Sequence, residues 1–355
     1  MSAKIIDFVK QKLFVGIDMH QRQWTVTLRM AGIYLKTCVI NPSPVDLANY
    51  LKRNYPGAEY HSVYEAGFGG FWAHFELRKL GIQNIVINPA DVPTTNKEKS
   101  YKKDKVDSKK LAREHENGSL EAIYVPPVEL QQLRSLCRAR FRIVQNLTRI
   151  KNRIKAFLHY YGYRMPNHHE LPRWSGRFIS WLHSLEFAAN AGKDCLDSYL
   201  SALNDERKNL THVMRRLRQY SRTPEIAHTF ECIKSVKGIG FVTAMVLYTE
   251  IIDMRRFKNL ARLAAFVGLV PSISSSDENE TTHGLTHRRN RYLRTLLIEA
   301  AWVAVRSDPA LTHAFCQLTR KMPKERAIVR IAKKLLNRVR HVWLHQTRYV
   351  PAVVK

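Results

Sequence analysis

Four carboxylates near the start of the chain have the types and positions of a metal-binding set. Asp18 ends the apolar run in VGIDMH and Glu65 ends a second one in SVYEAG. Asp104 and Asp107 lie three residues apart in KKDKVDSKK, so one helical turn places both on the same face. Acids crowded in one cleft repel each other unless a hard cation such as Mg²⁺ or Mn²⁺ neutralises them. Each acid alone could equally lie on the surface, but the set predicts a divalent-metal site suited to phosphodiester displacement.

A serine-rich segment near the C-terminus offers a nucleophile. The stretch GLVPSISSSDENE contains three consecutive serines after Pro271, and the basic turn THRRNR follows it. A serine hydroxyl is a poor nucleophile at neutral pH and needs a base or a metal ion close by. The same run is also typical of a flexible connector, and we predict a loop that begins at the proline.

The order of elements around the acids indicates an RNase H-like α/β sheet. Two apolar runs around a polar turn predict strands between Lys12 and Met30, and the next elements are predicted at 34–40 (strand), 44–54 (helix), 61–65 (strand), 71–80 (helix), 84–88 (strand) and from Asp104 (helix). A three-stranded meander followed by alternating helix and strand is the order of that fold.

After Pro126-Pro127 the pattern becomes that of long helices. Apolar residues recur in steps of three and four over 128–160 and again over 193–221, which predicts antiparallel or intersubunit coiled-coil helices. Because these seams look too long to bury within one small domain, we expect a dimer that pairs into a tetramer. The predicted domains are 1–125 (α/β), 126–223 (helical connector) and 224–355 (helical, with the serines).

Basic residues predict nucleic-acid contacts in three places. The first long helix has no carboxylate between Leu130 and Leu158, and its arginines favour a phosphate-binding face. The segment IKSVKGIG before FVTAMVLYTEI resembles a helix–hairpin–helix, although an ordinary helix turn is equally compatible. With the basic turn, the predicted contacts are Arg134, Arg138, Arg142, Arg149, Arg153, Lys237, Gly238, Gly240, Arg288, Arg289 and Arg291.

Composition supports a nucleic-acid partner. The 355 residues include 58 Lys and Arg against 30 Asp and Glu, a formal charge of +28 that a polyanion would neutralise. A ribosomal-type structural protein or a membrane-surface binder would share this charge. The five cysteines are scattered without a CxxC pair, which disfavours a zinc ribbon or a disulfide framework. The polar start and the lack of a long apolar run predict a cytoplasmic protein with no membrane partner.

Over nearly its whole length the chain resembles the DEDD-type transposases of the insertion-sequence one-hundred-ten family, which includes the pilin-gene invertase. The resemblance rests on GIDMH, VYEAG and KKDKVDSKKLAR in the N-terminal half, and on VKGIG, AAFVGLVPS and RRNRYLRTLLIEAAW in the C-terminal half. It implies a RuvC-like domain in which Asp18, Glu65, Asp104 and Asp107 bind metal, and a C-terminal domain whose serine attacks DNA.

The same resemblance implies the nucleophile and two partners. The family's serine maps onto Ser276, five residues after Pro271, but Asp277 stands where the family has glycine, so Ser275 is a second candidate. Family members also use a structured bridge RNA that pairs with donor and target DNA. They are understood to join the serine of one subunit to the acids of another.

Two other functions remain open from the residues alone. A RuvC-like junction nuclease would use the acids and water, with no serine. A non-catalytic scaffold that binds nucleic acid would need neither the acids nor the serine. A DNA transposase, or site-specific recombinase, is the function that the sequence favours.

Overall fold

The computed structural model describes residues 8–93, 104–276, 279–286 and 289–351, and the side chains of 104–105 and 272–284 lie outside that description. The chain divides into two compact units, residues 1–126 and 127–355. The first contains a mixed sheet with helices, and the second is mainly helical.

The first unit is built on a five-stranded sheet in the order β3-β2-β1-β4-β5. Its strands are β1 (Lys12–Met19), β2 (Trp24–Met30), β3 (Ile33–Ile40), β4 (Glu59–Glu65) and β5 (Gln83–Ile87). The first three form an antiparallel meander, whereas β4 runs parallel to both β1 and β5. Alternate residues of β1, namely Leu13, Val15 and Ile17, are buried on one face of the sheet.

Helices cover both faces of this sheet. They are α1 (Pro44–Asn54), α2 (Trp72–Lys79) and α3 (Asp104–Glu116). Helix α1 begins where the Ser43 hydroxyl accepts a hydrogen bond from the Asp46 backbone N–H, with Pro44 in the first turn. Leu47 of α1 and Leu77 of α2 join the buried residues of β1 in one core. Helix α3 contacts β1 and β2 from the other face.

The second unit contains nine of the helices in the described part of the chain and one hairpin. The helices are α4 (Val128–Tyr160), α5 (Gly176–His183), α6 (Asn190–Tyr220), α7 (Pro224–Lys234), α8 (Phe241–Ile251), α9 (Leu260–Val267), α10 (Arg291–Ser307), α11 (Pro309–Thr319) and α12 (Lys324–His345). The hairpin consists of β6 (Pro271–Ser276) and β7 (Asn279–Leu285). Among the helices, α8 is buried nearly throughout, and α12 packs one apolar face against α10.

The two long helices α4 and α6 form an antiparallel pair within one chain. The Phe157 ring lies 5.8 Å from that of Tyr199, and Asn146 Nδ2 donates to Glu206 Oε1 at 2.8 Å. Their apolar seams share one core, which contains Leu147, Ile150, Ile154, Leu196, Leu200 and Leu203. Of the two predicted arrangements, the antiparallel one is confirmed. The expectation that the seams are too long to bury within one small domain is wrong, because the two helices bury them against each other inside the second unit. Oligomeric state stays a prediction that needs other support.

A mixed α/β sheet followed by a helical region is confirmed. The predicted strands and helices of the first unit appear within about two residues of their expected bounds, as helix ends usually do. The three-part division at 125 and 223 stays a prediction. Leu133 and Cys137 of α4 lie in the same core as α7, α8 and α12, so the base of the helical pair belongs to the C-terminal core.

Candidate active site

Asp18 and Glu65 lie at neighbouring strand ends. Strands β1 and β4 are parallel, and their register pairs Ile17 with Tyr64, so the next residue of each strand is the acid. Parallel strands end at the same edge of a sheet, and clefts at such edges are where α/β sheets bind ligands. The structure therefore places these two predicted site residues at one edge.

The surroundings of this edge are partly open and polar. The Asp18 side chain is 22% exposed, and its Oδ2 lies 3.3 Å from His20 Nε2. An open groove of about 620 Å³ lies beside it, lined by residues 20–23 of the β1–β2 turn and by Phe68. Next to Glu65, burial raises the pKa of Tyr64 to about 12, so its hydroxyl stays protonated and donates to the Gly70 carbonyl at 3.1 Å. That bond holds the β4–α2 turn that carries Phe68.

Helix α3 is fixed against β1 by a glycine. A Cβ on Gly16 would lie 2.3 Å from the Ser108 carbonyl oxygen and 2.4 Å from the Ala112 nitrogen, so only glycine fits there. Ser108 is fully buried, and its hydroxyl hydrogen-bonds to Thr27 Oγ1 at 2.9 Å. The sequence neighbour of Ser108 is Asp107, which is 36% exposed with Oδ1 3.7 Å from Lys110 Nζ. Asp107 therefore sits on the helix that crosses β1 near Asp18.

A complete four-acid ligand set is not seen. The Asp104 side chain lies outside the described residues. Among the residues that are described, no three His, Cys, Asp or Glu side chains are grouped closely enough to hold a metal ion. In donor chemistry the acids do fit a divalent cation, because Asp18, Glu65 and Asp107 all offer hard oxygen ligands.

The serine segment forms a hairpin, so the predicted loop is wrong. Strands β6 and β7 pair antiparallel, with Ser275 opposite Glu280 and Ser276 opposite Asn279. Paired backbone groups hold this segment even though serine-rich strands lack the apolar alternation that marks a strand in sequence. Side chains of both candidate serines, and the Asp277 position, lie outside the described residues.

The base of the hairpin is closed by a backbone hydrogen bond and is joined to α10 by an arginine. The Thr286 N–H donates to the Val270 carbonyl at 3.2 Å, and Arg294 Nη1 donates to the Thr286 carbonyl at 3.2 Å. Asn290 then begins α10, because its Oδ1 accepts from the Tyr292 and Leu293 N–H groups. These contacts hold the base of the hairpin next to the start of α10.

A buried carboxylate that sequence reasoning missed anchors this region. Glu250 is 3% exposed and accepts two hydrogen bonds from Arg138, at 2.8 and 2.9 Å. It also accepts from Asn290 Nδ2 at 2.8 Å, and Arg134 Nε lies 3.8 Å away. The signal was a single acid in the apolar run FVTAMVLYTEI, since a buried charge requires partners. Glu250 thus links α4, α8 and the start of α10.

Two family models match most of this architecture. Residues 15–162 match the DEDD transposase model of the IS110 kind, and residues 230–317 match the model described as the transposase IS116/IS110/IS902 family. The first span contains the strand ends that carry Asp18 and Glu65, which we call the carboxylate edge. The second span contains Glu250 and the hairpin of β6 and β7. The chain belongs to the IS110 family of transposases.

Relatives of this IS110-family transposase align along most of its length. The transposase y4rJ of Sinorhizobium fredii is 28% identical over 363 residues, which cover 91% of this chain and 90% of that protein. The transposase y4qE of the same organism is 27% identical, with 82% of this chain and 72% of that protein covered. The transposase for insertion sequence element IS1533 of Leptospira borgpetersenii is 25% identical, with coverages of 83% and 86%. The resemblance inferred from sequence motifs is confirmed.

The arginines predicted on α4 divide into two groups in this transposase. Arg134 and Arg138 have intramolecular partners: Arg134 donates to the Thr249 carbonyl at 2.9 Å, and the Arg138 guanidinium stacks over Tyr292 at 5.0 Å. Arg142, Arg149 and Arg153 are exposed instead, and their spacing of seven and four residues places them on one helix face. The nucleic-acid role predicted for α4 therefore rests on the exposed three.

The glycines of the predicted helix–hairpin–helix have different reasons to be glycine. Gly238 has a φ of +90°, and a Cβ there would lie 2.6 Å from the Ala300 carbonyl oxygen of α10. A Cβ on Gly240, in contrast, would meet no atom within 4 Å, and this residue precedes α8 beside the exposed Lys237. Close packing on α10 explains Gly238, and only Gly240 and Lys237 offer an open surface.

The basic turn before α10 is only partly described. Arg289 and Arg291 are exposed, whereas Arg288 lies outside the described residues.

None of the helices in the described part combines the length and apolarity needed to cross a membrane.

Proposed function

We propose that this transposase cuts and rejoins the DNA of an insertion sequence through a serine nucleophile, assisted by a metal site on its four acids. The observation that carries this proposal is the carboxylate edge, where Asp18 and Glu65 end neighbouring parallel strands and Gly16 seats α3 with Asp107 against β1. The strand order and this placement also support an RNase H-like, RuvC-type domain.

Asp18, Glu65, Asp104 and Asp107 would hold Mg²⁺ or Mn²⁺. Such an ion, when bound, neutralises charge on a phosphodiester undergoing displacement. The acids themselves would fix its position and keep other anions out of the groove beside His20.

The serine performs the covalent step. Its Oγ attacks phosphorus, a new Oγ–P bond forms, and the bond from phosphorus to the leaving strand oxygen breaks. The serine proton passes to a base and the leaving oxygen takes up a proton. Because the phosphoserine ester conserves the energy of the phosphodiester, the reverse attack by another strand end rejoins DNA without an external energy source. This suits recombination better than hydrolysis by water.

Partners beyond DNA are also proposed. The charge of +28 is compatible with a structured bridge RNA that pairs with donor and target DNA. A dimer that pairs into a tetramer would let the serine of one subunit meet the acids of another.

Trapping the protein on DNA tests the serine chemistry. Denaturing a reaction on DNA that carries the element's ends, with Mg²⁺ and copurified RNA, should leave a covalent protein–DNA adduct. Mass spectrometry should locate the DNA on Ser276, and Ser276→Ala should abolish the adduct while Ser275→Ala only weakens the reaction.

Other outcomes select the other functions. Cleavage without any adduct would favour a junction nuclease that uses water. DNA bound but never cleaved would favour a scaffold. An adduct on Ser275 would move the nucleophile by one residue.

A further inference from the structure

Helix α12 presents a stripe of cations that no motif in the sequence singled out. Its residues recur in steps of three and four, so they lie along one face of the helix over about three turns. An open groove of about 720 Å³ runs along them, lined by Arg330, Lys333, Lys334, Asn337, Arg338 and His341, with Leu260 and Tyr349 on its other sides.

The opposite face anchors this stripe rigidly. Ile331, Leu335 and Val339 are fully buried in the core of the second unit. At the C-terminal end, Arg338 Nε donates to Tyr349 Oη at 2.8 Å, and that hydroxyl donates to the buried Asp308 at 2.6 Å. The cationic face is therefore held in place by the fold.

Three cations of the stripe have no counter-charge among the residues that the structure describes. The side chains of Arg330, Lys333 and Lys334 form no hydrogen bond or ion pair with any residue that the structure describes. The one acid in the helix, Glu325, lies in the first turn, before the stripe begins. Like charges three and four residues apart destabilise a helix, so an external anion that neutralises this face stabilises the helix.

The flank of the stripe adds to this electrostatic imbalance. Arg340 donates to the Lys258 carbonyl at 3.4 Å, and its Nε is buried without a hydrogen-bond partner. The contrast with α4 is direct, because there Arg134 and Arg138 have Glu250. The α4 arginines that serve the fold have the buried acid Glu250 of α8, and Arg338 of α12 likewise lies 3.4 Å from Asp308. The side chains of Arg330, Lys333 and Lys334 have no such acid among the described residues.

We propose that the α12 stripe binds the sugar–phosphate backbone of duplex DNA, which extends the proposed function and rests on it. From Arg330 to His341 the stripe spans about 16 Å, the length of roughly five base-pair steps along one strand. Single-stranded RNA is usually bound by aromatic stacking. Both aromatic rings that line this groove in the described structure have intramolecular contacts. Tyr349 is half-buried with its hydroxyl bound to Asp308, and the His341 ring lies 4.5 Å from that of His345. Long cationic side chains along one face of a helix suit a continuous phosphate backbone.

The test measures the salt dependence of duplex DNA binding. The triple variant Arg330→Gln, Lys333→Gln, Lys334→Gln retains good helix formers and removes three charges. Its affinity for a short duplex of random sequence should fall about 10- to 100-fold, and the slope of log K against log salt should flatten by about 3. The single variant Lys334→Gln, at an exposed position, should flatten it by about 1.

A charge-matched control separates a site from general electrostatics. Arg164→Gln, Arg173→Gln, Arg177→Gln removes three exposed cations around α5 and should leave the slope nearly unchanged. Equal losses in the control, an unchanged slope in both α12 variants, or loss of binding to an RNA hairpin alone would overturn the α12 assignment. If the wild-type protein binds no DNA at all, the proposed function fails as well.

Discussion

Two acids, Glu250 in the second unit and Asp18 in the first, have opposite surroundings. In the second unit, Glu250 is 3% exposed and accepts hydrogen bonds from Arg138 and Asn290, with Arg134 close by. In the first unit, Asp18 is 22% exposed at an open strand end, beside a groove and next to another strand end that carries Glu65. The chain neutralises Glu250 from within but leaves the Asp18 edge accessible to an external cation.

This difference separates an acid that serves the fold from one that the proposed function places in the active site. Both are single carboxylates in or after apolar runs, and the sequence alone does not distinguish them. Arginines of α4 show that Glu250 holds helices together, whereas the position of Asp18 at a strand end near an open groove supports its proposed role as a metal ligand. Removing each charge should therefore affect different properties of the protein.

The largest expected effect on stability follows Glu250→Gln. The change leaves Arg138 and Arg134 without their counter-charge, and we expect unfolding free energy to fall by about 2–4 kcal/mol, since Arg138 retains contact with solvent. Chemical unfolding measures this, with the exposed Glu299→Gln as a control that should change little. A Glu250→Gln protein as stable as wild type would remove the basis of the comparison.

The next largest effect is expected where α3 packs against Gly16 of β1. Gly16→Ala places a methyl group against the backbone of Ser108 and Ala112, and such overpacking costs about 1–3 kcal/mol. DNA cleavage should fall with it, because α3 carries Asp107. Gly67→Ala is the matched control for stability, since its methyl group comes no nearer than 4.0 Å to the Glu65 carbonyl oxygen. Normal stability in Gly16→Ala would show that α3 does not rest on β1 as described.

A smaller, pH-dependent effect comes from a buried base in the first unit. Burial, and next the neighbouring His61, lower the pKa of His115 to about 4 from an ordinary value near 6.5. Burial also lowers the pKa of His61, whose Nε2 lies 3.8 Å from Glu59 Oε2 with the Lys12 charge near it. Between pH 6.5 and 4 the unfolded chain binds the His115 proton and the folded chain does not.

The free energy of unfolding should therefore be highest above about pH 6.5 and fall by up to about 3 kcal/mol as the pH drops to 4. His115→Gln should flatten this dependence. Urea unfolding at a series of pH values compares the two proteins, and equal slopes would mean that another group is responsible.

Much of the fold could be predicted from local patterns. The acids at 18 and 65 follow apolar runs, and such runs fix strands and hence their ends. The long helices followed from their three-and-four periodicity. Their pairing within one chain did not, because a periodic seam does not say which helix covers it.

The remaining features depend on contacts between distant residues. The hairpin at 271–285 has no apolar alternation, so backbone pairing was invisible in its side chains. The partners of Glu250 lie on α4 and at Asn290, and only the folded chain brings them together. For the same reason, the contacts that Arg134 and Arg138 make within the chain could not be predicted, and their role in nucleic-acid binding stays a prediction.

The DNA-cleavage activity of the Asp18→Asn variant tests most directly the proposal that the carboxylate edge is part of the active site. With Mg²⁺ and DNA that carries the element's ends, this variant should show no detectable cleavage or rejoining. It should still bind DNA nearly as well as the wild-type protein and unfold within about 0.5 kcal/mol of it. The exposed Glu121→Gln should remain fully active as the charge-matched control. Full recombination by Asp18→Asn would contradict a chemical role for the carboxylate edge.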